Sequence, residues 1–260
     1  SSPLKEYEGK HLKSFYATVI EKKTTAFNKN YILKINYNRD TFYASFKASK
    51  DFKIGDILIG EGSFERPPSQ DNFRSFSYRQ YLKTKKVFLT AKKISLFDSG
   101  KDSLFLLPRR YFINYIEQNL KKYTFSSDFD FAVSVVLGQK RMDQDTIDQY
   151  SKLGLSHILA VSGLHISILI SFLEIIGKHL GVKRKTYSLI ILLVLLFYSY
   201  VIGFPISLIR ALSMYAVRSF AIFFNKLQDR LNDIGLAFFI CLLINPFYLH
   251  SSALYFSFSA

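Results

Sequence analysis

From Tyr187 to Gly203 the chain carries no charged residue, and the centre of that stretch, Leu189-Ile190-Ile191-Leu192-Leu193-Val194-Leu195-Leu196-Phe197, is wholly apolar. A helix that is apolar on every side belongs in a large core or in a bilayer, and about 20 residues are needed to cross the hydrocarbon. Three further apolar stretches flank it: Gly163 to Leu180, Pro205 to Phe224, and Leu231 to Ile244, which Asn245-Pro246 stops. Pro205 suits the start of a helix. The pattern predicts spans at about 163–180, 186–203, 205–224 and 231–245. Two of these separate the loop Lys183-Arg184-Lys185 from Lys226 and Arg230, so both basic groups lie on one side. Positive charge places that side in the cytoplasm.

Residues 1–107 are of another kind, rich in Lys, Phe and Tyr and without a long apolar run. Leu12 to Lys22 is β-rich. Tyr31 to Tyr37 alternates, the turn Asn38-Arg39-Asp40 follows, and Thr41 to Lys47 is its hairpin partner. Gly55-Asp56 turns into a strand over Ile57 to Phe64, which Pro67-Pro68 ends. Phe76 to Lys85 has helical spacing, and Val87 to Phe97 is a last strand. Five short strands and one helix suit a small Greek-key barrel. The fold class is therefore α+β in two parts, a small OB-like β-barrel (1–107) followed by an α-helical polytopic membrane region (108–260).

Lys and Arg exceed Asp and Glu by 20 to 11 up to residue 107, and the whole chain carries +15. Such a balance suits nucleic acid or lipid head groups, although an AT-rich genome also enriches Lys, Asn, Ile, Phe and Tyr. OB folds bind single strands through a basic groove with aromatic stacking platforms. On the first three strands the candidates are Lys22, Lys23, Phe27, Lys29, Tyr31, Lys34, Tyr43 and Lys47. The competing reading is that the aromatics fill the barrel while the lysines are solvated edge charges. Cys241, the one cysteine, lies in an apolar run and offers neither a disulfide nor a thiolate metal site. The first residues are polar, unlike a signal peptide, and the chain opens without Met and closes at Ala260 with no terminating signal, as expected of an excised piece of a longer protein.

Pro108 to Lys122 is amphipathic, with Tyr111, Phe112, Tyr115 and Ile116 on one face and Arg110, Glu117, Lys121 and Lys122 towards water. An aromatic face with basic flanks predicts an interfacial helix over 108–122. Phe129 to Leu137 is too short to span, with Ser127 and Asp128 placed to cap it and Gly138 to end it. Asp143 to Leu153 is a polar helix. Short or re-entrant helices are expected over 128–162.

Ser156-His157-Ile158-Leu159-Ala160-Val161-Ser162-Gly163-Leu164-His165 interrupts the apolar pattern with two histidines, two serines and a glycine. Polar groups at membrane depth are costly and face a cavity, a partner helix or a solute path. Ser162-Gly163 is the expected break point, and a broken helix is tolerated there only where it is buried in protein or lines a wet cavity. His157 and His165 then either share a polar cavity or hold neighbouring helices together. A zinc site lacks a third ligand, and a Ser–His nucleophile lacks both an elbow motif and an orienting acid. Within the third span Ser207, Arg210, Ala211, Met214 and Arg218 share one helical face. An intramembrane arginine needs a partner or a function, and its guanidinium offers bidentate donors matched to phosphate. Arg210 is open to pairing within the bundle and Arg218 to reaching the cytoplasmic surface.

Gly154, His157, Leu159 to His165, Arg210-Ala211 with Met214, Arg230, Asp233 and Asn245-Pro246 resemble the signature of the ComEC competence family. Pro68, Asn72, Phe76, Tyr78, Tyr81 and Leu82 resemble a motif of that family's extracytoplasmic OB-like domain, with Ser77 where the family has Asp. The closing Phe256-Ser257-Phe258-Ser259-Ala260 continues the resemblance, with a departure from the family pattern around Tyr255 to Phe258. The resemblance implies a cytoplasmic-membrane channel component that passes single-stranded DNA inward in natural transformation. It implies a membrane path built from His157, Ser162, Gly163, His165, Ser207, Arg210 and Arg218. Partners would be single-stranded DNA, the lipid membrane, other DNA-uptake machinery and a second copy in a homo-oligomer. The family's nuclease-like pattern H-x-H-x-D-H is absent from the sequence, so no enzyme activity, cofactor or metal is expected of this chain. Two alternatives stay open, a permease for another anionic solute and an OB-like domain that recruits proteins.

Overall fold

The computed structural model describes residues 7–24, 29–38, 40–68, 77–139, 142, 144–153, 163–226, 229–250, 254 and 258. The chain divides into two compact units, one of residues 1–133 and 139–152, the other of residues 134–138 and 153–260. The division falls later than the composition change at Pro108.

In the first unit, β1 (His11–Thr24), β2 (Lys29–Tyr37), β3 (Asp40–Ala48), β4 (Asp56–Glu65) and β5 (Leu89–Asp102) form a closed barrel in the order β1-β2-β3-β5-β4. β2 and β3 form the expected hairpin, with Asn38 in the left-handed region at φ 54°. Alternation selects the core: Leu33 and Ile35 from β2, Phe42 and Ala44 from β3, and Ala17 and Val19 from β1 all point inward. Leu12 and Phe15 are both buried although three apart, because a bulge between them shifts the phase against β4. Phe64 packs edge-on against Phe15 and Phe42, with ring centroids 5.4 Å away in each case. Burying each such ring fully stabilises the barrel by ~1.5–3 kcal/mol. On β4, Gly62 lets β5 pass close: a Cβ there would lie 2.3 Å from the Lys93 carbonyl oxygen.

The barrel closes through a weak seam. β3 and β5 run parallel and pair only at Ala44↔Leu89 and Ser45↔Thr90. A short helix, α1 (Tyr78–Thr84), precedes β5, and the Ser77 side chain caps it by accepting from the Gln80 N–H. Its described extent is shorter than the expected Phe76 to Lys85, because Lys85 already leaves helical geometry.

Helix α2 (Leu107–Tyr123) begins with Pro108 in its first turn. Its start is fixed to the barrel. Arg109 is buried and donates to the Ile20 carbonyl at 2.8 Å. Arg110, expected to face water, pairs instead with Asp56 at 3.0 Å and Asp102 at 2.9 Å. These contacts explain why α2 belongs to the barrel's unit. Its other face is open, with Tyr111 75% and Tyr115 55% exposed. Helices α3 (Ser126–Leu137) and α4 (Gln144–Lys152) follow, and Gly138 ends α3 at φ 66°.

The second unit holds α5 (Gly163–His179), α6 (Arg184–Ile202), α7 (Ile206–Phe223), α8 (Arg230–Ile244) and a 3-10 turn, Pro246–His250. Among the described residues two helices are long and apolar enough to cross a membrane: Arg184–Ile202 and Ile206–Phe223, with mean hydropathy 1.9 and 1.4. The 15 residues of α8 reach only ~22 Å, short of a ~30 Å hydrocarbon core, and the described part of α5 has 17 residues. Pro205 lies one position before the helix it starts, as the N-cap of α7. Ile166, Ile191, Leu195, Leu208 and Tyr215 make the packed centre. Leu189, Ile190, Leu193 and Leu196 stay about half exposed on α6, as a lipid-facing side would be.

Candidate functional site

Arg210 is placed on α7 by helical spacing, with Ser207, Ala211, Met214 and Arg218 on the same half-buried face. Leu208, Ile209 and Ser213 point elsewhere and are buried. The Arg210 guanidinium lies over Gly163 of α5, so closely that a Cβ at 163 would be 2.5 Å from Nη2. Its Cζ is 5.7 Å from the centroid of the Phe258 ring, within cation–π range. The Nε is buried without a hydrogen-bond partner among the described residues. No carboxylate among the described residues lies close enough to pair with it. A guanidinium with no carboxylate partner among the described residues offers its donors to an incoming acceptor.

Arg218 differs. Its Nη2 is 3.4 Å from Glu174 Oε1 of α5. Arg218 is thus paired across helices with Glu174, whereas Arg210 has no carboxylate partner among the described residues. Gly163 and Glu174 on α5 match Arg210 and Arg218 on α7, so the two helices run in the same direction. His165 and Ser207 are half-buried and both have partners. His157 and Ser162 lie outside the described residues. Ser188 and Ser219 are hydrogen-bonded at 2.9 Å between α6 and α7, a polar contact that sequence spacing did not single out.

In the barrel, the expected basic and aromatic surface divides. Lys22 and Lys29 both reach Asp51, at 2.5 and 3.3 Å. Burial alone would raise the Asp51 pKa, but the two ammonium groups outweigh it and hold the carboxyl below its ordinary value. Tyr31 is wholly buried. Its hydroxyl donates towards the Lys50 carbonyl at 3.0 Å and accepts from the Phe52 N–H at 3.2 Å. A base cannot stack on a ring with no exposed face, so Tyr31 is corrected from platform to core. Lys34 and Tyr43 are cross-strand neighbours on β2 and β3, both half-exposed. Tyr43 borders a small cleft of about 250 Å³ with Tyr7 and Lys86. Phe27 lies outside the described residues.

Lys23 and Lys47 belong to a different surface. Lys23 Nζ donates to the Tyr81 hydroxyl and lies 5.0 Å from that ring's centroid. Burial alone would lower the Lys23 pKa; Tyr81 and Glu21 outweigh it, and the ammonium is favoured. Lys47 borders a cleft of about 790 Å³ at the β3–β5 seam, with His11, Phe46, Tyr78, Lys92 and Lys93. Sequence reasoning missed His11, Lys92 and Lys93. The Lys92-Lys93 doublet was the available signal.

The unpaired arginine and the glycine beneath it occupy the two parts of the sequence where the motif is densest. Residues 135–260 match the family described as Competence protein. Residues 135–260 belong to that family. The chain is also similar to ComE operon protein 3 of Bacillus subtilis (strain 168), with 25% identity over 203 residues, 76% of this chain and 26% of that protein. It thus spans about a quarter of that relative's length. No solved structure matches it.

Proposed function

We propose that this chain is part of a DNA-uptake channel that passes a single strand through the cytoplasmic membrane, with the barrel outside engaging the strand before entry. The observation that carries this is Arg210, a guanidinium on a membrane-type helix, held against the signature glycine and without a carboxylate partner among the described residues. A half-buried guanidinium with no carboxylate beside it carries a desolvation cost, and a passing phosphate would relieve that cost with a bidentate contact. The paired Arg218 then serves the packing of α5 against α7. Other uptake components and a second copy of the chain are the partners this role calls for.

The test is Arg210→Ala in the full-length protein in a naturally competent host. Transformation should collapse while the protein still accumulates in the membrane, and Arg210→Lys should restore it only in part. Unchanged transformation would remove the phosphate path. Loss of the protein itself would make Arg210 a packing residue. Orientation is tested with single cysteines in a Cys241→Ser background. Lys185→Cys should resist an impermeant thiol reagent in intact cells, and Asn38→Cys should react. The reverse pattern would place the barrel inside.

A further inference from the structure

We infer that the barrel holds a nucleic-acid single strand in the cleft at the β3–β5 seam, with a base stacked on Tyr78. This rests on the DNA-handling role proposed above and assigns it a surface.

The cleft follows from the topology. β3 and β5 pair at only two positions and diverge beyond Ser45 and Thr90. Phe46 and Lys47 then line one wall, and Lys92 and Lys93 the other. The opening of about 790 Å³ lies in the size range of ligand sites rather than of packing defects. Tyr78 borders it from α1.

Tyr78 is fixed in place. Its hydroxyl is 3.1 Å from the Ser45 hydroxyl, and its ring stacks on Tyr81 at 6.3 Å with 27° between the planes. Lys23 meets Tyr81 at its hydroxyl, and Lys85 Nζ is 5.7 Å from that ring's centroid. Of the two stacked rings, Tyr78 is the one that borders the cleft. A base added there extends an existing column, and a ring already ordered loses little entropy on binding.

The charges suit a phosphodiester. Lys92 is paired with Glu65 at 2.6 Å, while Lys47 and Lys93 have no carboxylate partner among the described residues. Glu61 is also on the wall, and the lysines outnumber it. Lys22 and Lys29, by contrast, are already engaged by Asp51. Stacked tyrosines beside lysines fit a strand of bases and phosphates.

The experiment uses the whole chain in nanodiscs and an oligothymidylate carrying 5-iodouracil, which photocrosslinks to an aromatic ring stacked on it. The unaltered protein should bind with an affinity that falls steeply with salt, and peptide mapping should find the adduct at Tyr78. Tyr78→Leu should weaken binding about 5- to 150-fold, the equivalent of ~1–3 kcal/mol for one stacked base, and Tyr78→Phe should bind nearly as the unaltered protein does. Lys47→Gln or Lys93→Gln should each lower the salt slope by ~0.7. Adducts at Tyr43 alone, with binding intact, would overturn the cleft and leave DNA handling standing. No binding by the unaltered protein would overturn DNA handling by the barrel and the cleft with it.

Discussion

The Arg210 guanidinium occupies the space that a side chain on Gly163 would need: a Cβ there would come within 2.5 Å of Nη2. The intruding group is the free end of a flexible side chain rather than backbone. A methyl at 163 therefore pushes the guanidinium aside and leaves the helix intact, which separates the position of the charge from the stability of the fold.

Gly163→Ala should accordingly reduce transformation at least about tenfold, equivalent to ~1.4 kcal/mol, with membrane accumulation unchanged. Gly177 is the control. A Cβ there would meet Tyr187 Cβ at 2.8 Å and Cγ at 2.9 Å, atoms close to the backbone that cannot swing away. Gly177→Ala should lower thermal stability, measured by the melting of detergent-solubilised protein. Equal losses of accumulation for the two variants would show that Gly163 also serves packing alone.

Glu174 and Arg218 should behave as a coupled pair. Glu174 is the more buried partner, with 16% of its side chain exposed against 42% for Arg218. Removing either leaves the other uncompensated. Glu174→Gln and Arg218→Gln should each destabilise the protein, and the double variant should be less destabilised than the sum, with a coupling of ~0.5–3 kcal/mol. Additive single effects in a double-mutant cycle would mean that the contact contributes nothing.

Tyr31→Phe keeps the ring and deletes the hydroxyl that bridges Lys50 and Phe52. The loss should be ~1–3 kcal/mol in denaturant unfolding, without any change in single-strand affinity. A specific loss of affinity at unchanged stability would return Tyr31 to the binding surface.

Tyr31 also marks where sequence stops being informative. The strand containing it was legible, because Tyr31, Leu33 and Ile35 recur at period two and all are buried. Alternation gives the two faces, and the apolar residues at 33 and 35 name the inner one; the phenol leaves Tyr31 open to either face, because its hydroxyl partners lie about 20 residues away. The same distance hid the capture of Lys22 and Lys29 by Asp51. The helices of the second unit were legible from apolar length, and Arg210 from its misfit there. Its contact with Gly163 was not, since 47 positions separate them and no periodicity relates them. The cleft was invisible for a related reason: it exists because two strands far apart in sequence pair briefly in parallel. The boundary at Pro108 came from composition, which cannot register that Arg109 and Arg110 reach back to the barrel.

Those two arginines leave α2 with one face engaged and the other free. Tyr111 and Tyr115 lie one turn apart on the free side, at 75% and 55% exposure, and Lys121 and Lys122 lie at its end. Tyrosines with flanking lysines favour the bilayer interface and anionic head groups, so this face should lie against the membrane, as the sequence pattern led us to expect. With an environment-sensitive fluorophore on Tyr115→Cys, in a Cys241→Ser background, emission should shift to the blue in proteoliposomes and be quenched by lipids spin-labelled near the head group. The same label on Asn36→Cys, on the exposed barrel surface, should remain water-like. A blue shift at 115 without lipid quenching would mean that protein covers this face, and a water-like signal would leave α2 off the membrane.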